Sequence, residues 1–111
     1  MRRYESIVIF KPNMSEEEIA AETKRLEQVL AQHGAQGTHV EDWGKRDMAY
    51  EINKHSRGVY VVFYYATENH ELVSDFTQLL RLSEKVLKFQ THVIERSVKP
   101  IAEETAVAQE V

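Results

Sequence analysis

Seven consecutive residues, Val59-Tyr60-Val61-Val62-Phe63-Tyr64-Tyr65, are all β-branched or aromatic. This is the strongest strand signal in the chain. Successive side chains of a strand point to opposite faces, so a run apolar at every position has to be covered on both sides. The segment therefore belongs in the middle of a sheet, and the rest of the chain must supply its neighbours and a covering layer. Val59, Val61, Phe63 and Tyr65 form the set that pairs with apolar helices and are assigned to the core. Tyr60, Val62 and Tyr64 then lie on the other face.

The flanking segments provide what that strand needs. Ser6-Ile7-Val8-Ile9-Phe10 is short and β-branched and reads as a first strand, broken by Pro12 and Asn13. Ser15 is a good helix N-cap, and Glu18 three residues on completes a capping box. Glu16, Glu17 and Glu18 suit the positive end of a helix dipole. Ile19, Thr23, Leu26 and Leu30 follow at helical spacing with Val29 beside them, and Gly34 ends the helix. His39 to Trp43 and Met48 to Ile52 can both extend, with a bulge or turn at Gly44. Asn53 to Gly58 reads as a turn. Asn69 caps a second helix whose buried stripe is Leu72, Phe76, Leu79 and Leu80, with Val73 flanking. A last strand runs from Val86 through Ile94, with Leu87, Phe89, Thr91 and Val93 alternating with Lys88, Gln90 and His92.

The order β-α-β-β-α-β defines an α+β, ferredoxin-like split-βαβ domain, with a four-stranded antiparallel sheet and two helices on one face. Right-handed crossovers are expected for both halves. The other face is expected to be open, and function is sought there or at the strand edges. The chain of 111 residues has room for one such core. The domain is placed at residues 1–99. Residues 100–111 carry small, acidic and polar residues after Pro100 with no aromatic, and are expected to form a disordered acidic tail.

Catalytic and metal chemistry find little support. There is no cysteine, so disulfides and thiolate metal sites are excluded. No two of His33, His39, His55, His70 and His92 sit at metal-ligand spacing on one predicted element. The four glycines are scattered rather than gathered in a phosphate loop, and no serine has a nucleophile-elbow context. No cofactor, metal or small-molecule substrate is expected. The apolar run after Met1-Arg2-Arg3-Tyr4-Glu5 is too short for a signal peptide, and no stretch approaches a membrane span. A soluble, cytoplasmic protein is the expectation.

The net charge of −4 argues at first against a nucleic-acid partner. However, residues 13–34 and residues 100–111 each hold three more acids than bases. The remaining body is mildly basic. Basic and aromatic residues gather at Arg2-Arg3-Tyr4, at Trp43-Gly44-Lys45-Arg46 and at Lys54-His55-Ser56-Arg57. Such groups can hold an RNA helix through its phosphates without reading bases. Arg57-Gly58-Val59-Tyr60-Val61-Val62-Phe63-Tyr64 also approaches the RNA-recognition-motif signature. Arg57, Gly58, Val62 and Tyr64 match it, but the two base-stacking aromatics are replaced by Val59 and Val61, which offer no π face.

Several of these stretches together resemble a known family. Met1-Arg2-Arg3-Tyr4-Glu5, Pro12, the block from Glu41-Asp42-Trp43-Gly44-Lys45-Arg46-Asp47 through Met48-Ala49-Tyr50-Glu51-Ile52-Asn53-Lys54, and Gly58-Val59-Tyr60 are similar to ribosomal protein six of the bacterial small subunit. The resemblance covers residues 1 to about 99. It implies a ferredoxin-like structural protein of the small-subunit platform. It implies pairing with the small-subunit protein numbered eighteen, and binding of the pair to the central domain of 16S ribosomal RNA. By motif match, Arg2, Arg3, Tyr4, Lys45, Arg46 and Lys54 are the candidate RNA contacts. Tyr50, Tyr60, Val62 and Tyr64 are the candidate partner contacts. The chain departs from the family at Asp47, which weakens the local positive field, and at Glu51, where many members have proline. Its Glu110-Val111 ending does not match the glutamate-ended tail that some members carry. The competing readings are a single-strand RNA binder of the RNA-recognition-motif type and a small ferredoxin-like ligand-binding or enzymatic domain.

Overall fold

The computed structural model describes residues 1–95; the acidic tail and the end of the proposed domain lie outside the described residues. In chain order the elements are β1 (Arg2–Phe10), α1 (Glu16–Gln32), β2 (Gln36–Ile52), β3 (His55–Thr67), α2 (His70–Leu82) and β4 (Val86–Glu95). The sheet order is β2-β3-β1-β4, and every neighbouring pair is antiparallel. The expected β-α-β-β-α-β pattern is thus present. The apolar run Val59–Tyr65 lies on a central strand, between β2 and β1.

One layer of side chains explains the fold. Val8 and Phe10 of β1 and Val59, Val61, Phe63 and Tyr65 of β3 are buried against Ile19, Leu26 and Leu30 of α1 and Leu72, Phe76 and Leu80 of α2. No helix residue belongs to the small buried cluster on the opposite face, so both helices cover one side of the sheet. Aromatic packing ties the layers together. Phe76 meets Phe63 and Tyr65 edge-on at 5.8 and 5.9 Å between centroids, and Tyr4 stacks on Tyr65 at 5.7 Å. Contacts of this kind add about 0.5–1.5 kcal/mol each beyond area burial.

The helix signals read from the sequence are realised locally. The Ser15 Oγ accepts from Glu18 N at 3.1 Å, and the Glu18 carboxylate accepts from Ser15 N at 3.0 Å. The Ser15 backbone N–H, and after it the Ser15 hydroxyl, hold the Glu18 carboxyl below its ordinary range. At the other end Gly34 adopts φ +94° and lets Ala35 N reach Leu30 O at 2.9 Å, which stops the helix.

Three local expectations are corrected. The turn between β2 and β3 is not Asn53–Gly58 but only Asn53 and Lys54, both at positive φ (50° and 67°), with Ile52 paired to His55. Two left-handed central residues match the twist of a tight hairpin. Asn53 signals such a turn, whereas a lysine there does not. In β4, a bulge between the partners of Ile9 and Phe10 sets Val86 opposite Phe10. Val86 and Phe89 therefore pack on the core, where strict alternation assigned Leu87 and Phe89. Finally, β1 begins at Arg2 rather than Ser6, which carries Tyr4 into the core.

Candidate macromolecular interface

The face away from the helices is built from cross-strand rows. His39, Tyr64, Glu5 and His92 form one row across all four strands, and Glu41, Val62, Ile7 and Gln90 the next. Tyr60, Ile9 and Lys88 form a third, which meets β2 at Gly44.

This face is not open at its centre, contrary to expectation. Between Asp42 and Gly44 the register of β2 shifts by a bulge, with Gly44 at φ +79° and its N–H donating to Asp42 Oδ1 at 2.8 Å. The extra residue is Trp43. Its indole swings over the sheet and packs with Ile7 and Ile94 on Val62 and Tyr64. Val62 and Tyr64 are consequently buried, at 0% and 5% exposure. Neither is exposed to a partner in this chain, because Trp43 lies over them. Of the other two candidate partner contacts, Tyr60 is half-buried and Tyr50 is 60% exposed.

The centre is also electrostatically organised. Glu41 Oε1 accepts from Trp43 Nε1 at 3.0 Å and from the Tyr64 hydroxyl at 3.2 Å, while His39 Nε2 lies 3.4 Å from Oε2. Burial, helped by the Glu41 and Glu5 charges, pushes the Tyr64 phenol well above its ordinary value. Burial likewise raises the Glu5 carboxyl, with His92 pulling it down and Glu41 pushing it up.

The candidate RNA residues fall into two groups that the fold does not unite. Arg2, Arg3 and Tyr4 open β1, next to Thr67, Ala66 and Tyr65. Arg2 is exposed, but Arg3 is 6% exposed and Tyr4 5%. Both owe their burial to the early start of β1, and Tyr4 is a core ring stacked on Tyr65 rather than an RNA contact. Lys45, Arg46 and Lys54 lie at the opposite end, roughly 25 Å away at about 3.3 Å per strand residue. There β2 and β3 run on past the end of β1, whose Phe10 pairs with Val59, and form a two-stranded ribbon. All three are exposed.

Lys88 and Arg57 were not singled out as site residues and belong with this group. Arg57 pairs with Asp47 at 3.2 Å, which answers part of the acid in the basic block. Lys88 of β4 donates to the Tyr50 hydroxyl at 2.8 Å and sits 5.2 Å from its ring centroid, so the ribbon reaches across to the far edge strand. Arg46 lies over the Trp43 ring at 5.1 Å and donates to Trp43 O at 3.2 Å. The signal for Lys88 in the sequence was its alternation with Phe89. Its partner could not be read, because Tyr50 is 38 residues away.

Other chemistry is not assembled. Among the described residues no group of three histidine or carboxylate side chains could hold a metal ion, and no helix is long and apolar enough to cross a membrane. A hollow of about 780 Å³ lies between α1 and β2, where Glu16, Lys24, Glu27 and Lys45 ring Ile19 and Val59. No histidine lines it. The valines that replace the stacking aromatics of the RNA-recognition motif, Val59 and Val61, point into the core. The partial match to that signature is therefore out of phase with the sheet.

Comparison with known proteins agrees with this architecture. The profile described as Ribosomal protein S6 matches residues 3–92. Small ribosomal subunit protein bS6 of Pelobacter propionicus is 36% identical, over 99% of this chain and 85% of its own length. Its counterpart in Citrifermentans bemidjiense is 38% identical over 87% of this chain and 72% of its own. The crystal structure of 30S ribosomal protein S6 from Thermotoga maritima superposes with a TM-score of 0.75 at 25% identity, covering 98% of this chain and 96% of that one. The chain thus belongs to the ribosomal protein S6 family, and as such is a non-enzymatic protein of the small subunit of the cytoplasmic ribosome.

Proposed function

We propose that the chain binds the central domain of 16S ribosomal RNA in the small-subunit platform, together with the small-subunit protein numbered eighteen. The observation that carries this reading is the β2–β3 ribbon. It projects beyond the sheet and displays Lys45, Arg46, Lys54 and Arg57 on exposed positions, with Lys88 drawn to it by Tyr50. A basic, two-stranded arm suits phosphate contacts that set register without reading sequence. The acidic first turn of α1 lies on the other side of the sheet.

Few phosphate contacts give weak binding, and a basic partner on the remaining surface adds contacts to the same RNA. Retention of a labelled central-domain RNA fragment, measured with and without protein eighteen across a salt series, tests this. Weak binding alone and much tighter, salt-sensitive binding with the partner is the expected result. Tight solo binding to arbitrary single-stranded RNA would overturn it.

A further inference from the structure

We propose that the hollow between Trp43 and Tyr60 on the open face receives one unstacked nucleobase of the bound RNA, with Lys88 holding an adjacent phosphate. The inference rests on the RNA-binding reading above and adds to it a base contact that phosphate binding does not require.

The hollow has a volume of about 180 Å³, with Ile7, Ile9, Trp43, Tyr60, Lys88 and Gln90 on its walls. It is smaller than the roughly 300–1,000 Å³ of a metabolite pocket, and it suits one flat ring. Trp43 and Tyr60 form its aromatic walls. The indole rests on Val62 and Tyr64 with Arg46 over it, so Tyr60 is the ring on which a base stacks. Ile9 is buried beneath and Ile7 half-buried, which keeps the floor apolar. No carboxylate lines the hollow. Two cations flank it: Lys88 on the wall and Arg46 stacked on the Trp43 indole.

These charges decide the class of occupant. Glu41, behind the Trp43 indole, is engaged by Trp43, Tyr64 and His39, so the charges flanking the hollow are Lys88 and Arg46. They repel an arginine or lysine from a protein partner and match a chain carrying one negative charge per flat ring. An ammonium has three N–H donors. Tyr50 takes one from Lys88 at 2.8 Å, which orients the group and leaves two for phosphate oxygens. The exposed Gln90 carboxamide, next but one on β4, offers both a donor and an acceptor to a base edge. Trp43 shares this face with Glu41, two residues before it on β2, and packs there on Val62 and Tyr64.

The test uses the full chain and the central-domain RNA fragment, titrated to saturation at low salt. Trp43 is the sole tryptophan, so intrinsic emission reports the hollow directly, while RNA retention reports binding as a whole. The expected result is quenching of Trp43 emission that saturates with retention. Tyr60→Leu keeps apolar bulk but loses the π face, and is expected to weaken binding about tenfold. Lys88→Gln is expected to weaken it with a shallower salt dependence, with unchanged circular dichroism in both variants. RNA retained with unaltered Trp43 emission overturns the base site and leaves the ribbon reading standing. Neither retention nor quenching overturns both. Quenching by protein eighteen in the absence of RNA, insensitive to Lys88→Gln, makes the hollow a protein-docking site and overturns the proposal.

Discussion

The Tyr64 hydroxyl of β3 donates to Glu41 Oε1 of β2 at 3.2 Å, sharing that oxygen with the Trp43 indole N–H. This bond lies on the face that has no helix over it, and it is part of how the strands cover themselves there. Tyr64→Phe removes the hydroxyl but leaves Glu41 with its Trp43 and His39 contacts. The expected loss is about 1 kcal/mol by urea denaturation. In a spectroscopic titration of the wild-type chain, Tyr64 is expected to stay protonated beyond the range of a free tyrosine, since burial and two nearby carboxylates raise it. A loss of several kcal/mol, or ordinary phenol titration, would contradict this account.

Glu5 carries a pH dependence of opposite sense to most acids. Its carboxyl is raised by burial first and by Glu41 less, against a lowering by His92. Just above the ordinary carboxylate range the folded chain therefore binds more protons at this site than the unfolded chain. Stability contributed by this site falls as pH rises through that window. Glu5→Gln is expected to raise the melting temperature at neutral pH and to change it little below the carboxylate range. A fall at neutral pH would show that Glu5 is held by attraction rather than tolerated.

Glu22 behaves in the usual sense. It is buried on α1, accepts from Arg25 Nε at 2.5 Å and lies 3.9 Å from Lys85 Nζ. The Arg25 bond holds its carboxyl below the ordinary value despite burial. Its contribution is present above the unfolded carboxylate range and is lost as pH falls through the depressed value. Glu22→Gln is expected to cost about 1–2 kcal/mol at neutral pH, and the difference from wild type should shrink on acidification.

Gly58 has no room for a side chain. A Cβ there would overlap the Ile9 side chain and come within 3.2 Å of Phe10 O, because β1 ends against this point of β3. Gly58→Ala is expected to destabilise by about 1–3 kcal/mol, read as a lowered melting temperature. An unchanged melting temperature would mean that Ile9 finds another rotamer at little cost.

The two basic groups separate in their effects. Arg46→Ala or Lys54→Ala on the ribbon is expected to reduce the slope of RNA affinity against salt by about one each, with the fold intact. Arg3→Ala is expected to lower stability instead, since Arg3 is buried in the sheet. A salt slope that changed with Arg3 and not with the ribbon residues would reverse this assignment.

Much of this was legible along the chain because it depends on neighbours in sequence. The capping box at Ser15 and Glu18, the stop at Gly34 and the stripe Leu72, Phe76 and Leu80 are local patterns, and the apolar run Val59–Tyr65 announces a central strand by itself. Glycine at position 44 announced an irregularity. The block from Glu41 to Lys54 carried the family. What could not be read was which way Trp43 turned. One extra residue in a strand reverses every side chain beyond it, so Lys45 comes opposite core Val59, while Trp43, on the face of Glu41, lies on Val62 and Tyr64 instead of leaving them open. Arg3 and Tyr4 looked like a basic terminus until β1 was seen to begin at Arg2 and draw them into the sheet. Lys88 met Tyr50 only because the ribbon crosses to β4. Periodicity, caps and turns are short-range and were determined by the sequence alone. Burial on the uncovered face, and the meeting of residues tens of positions apart, were decided by strand register, which exists only once the sheet has formed.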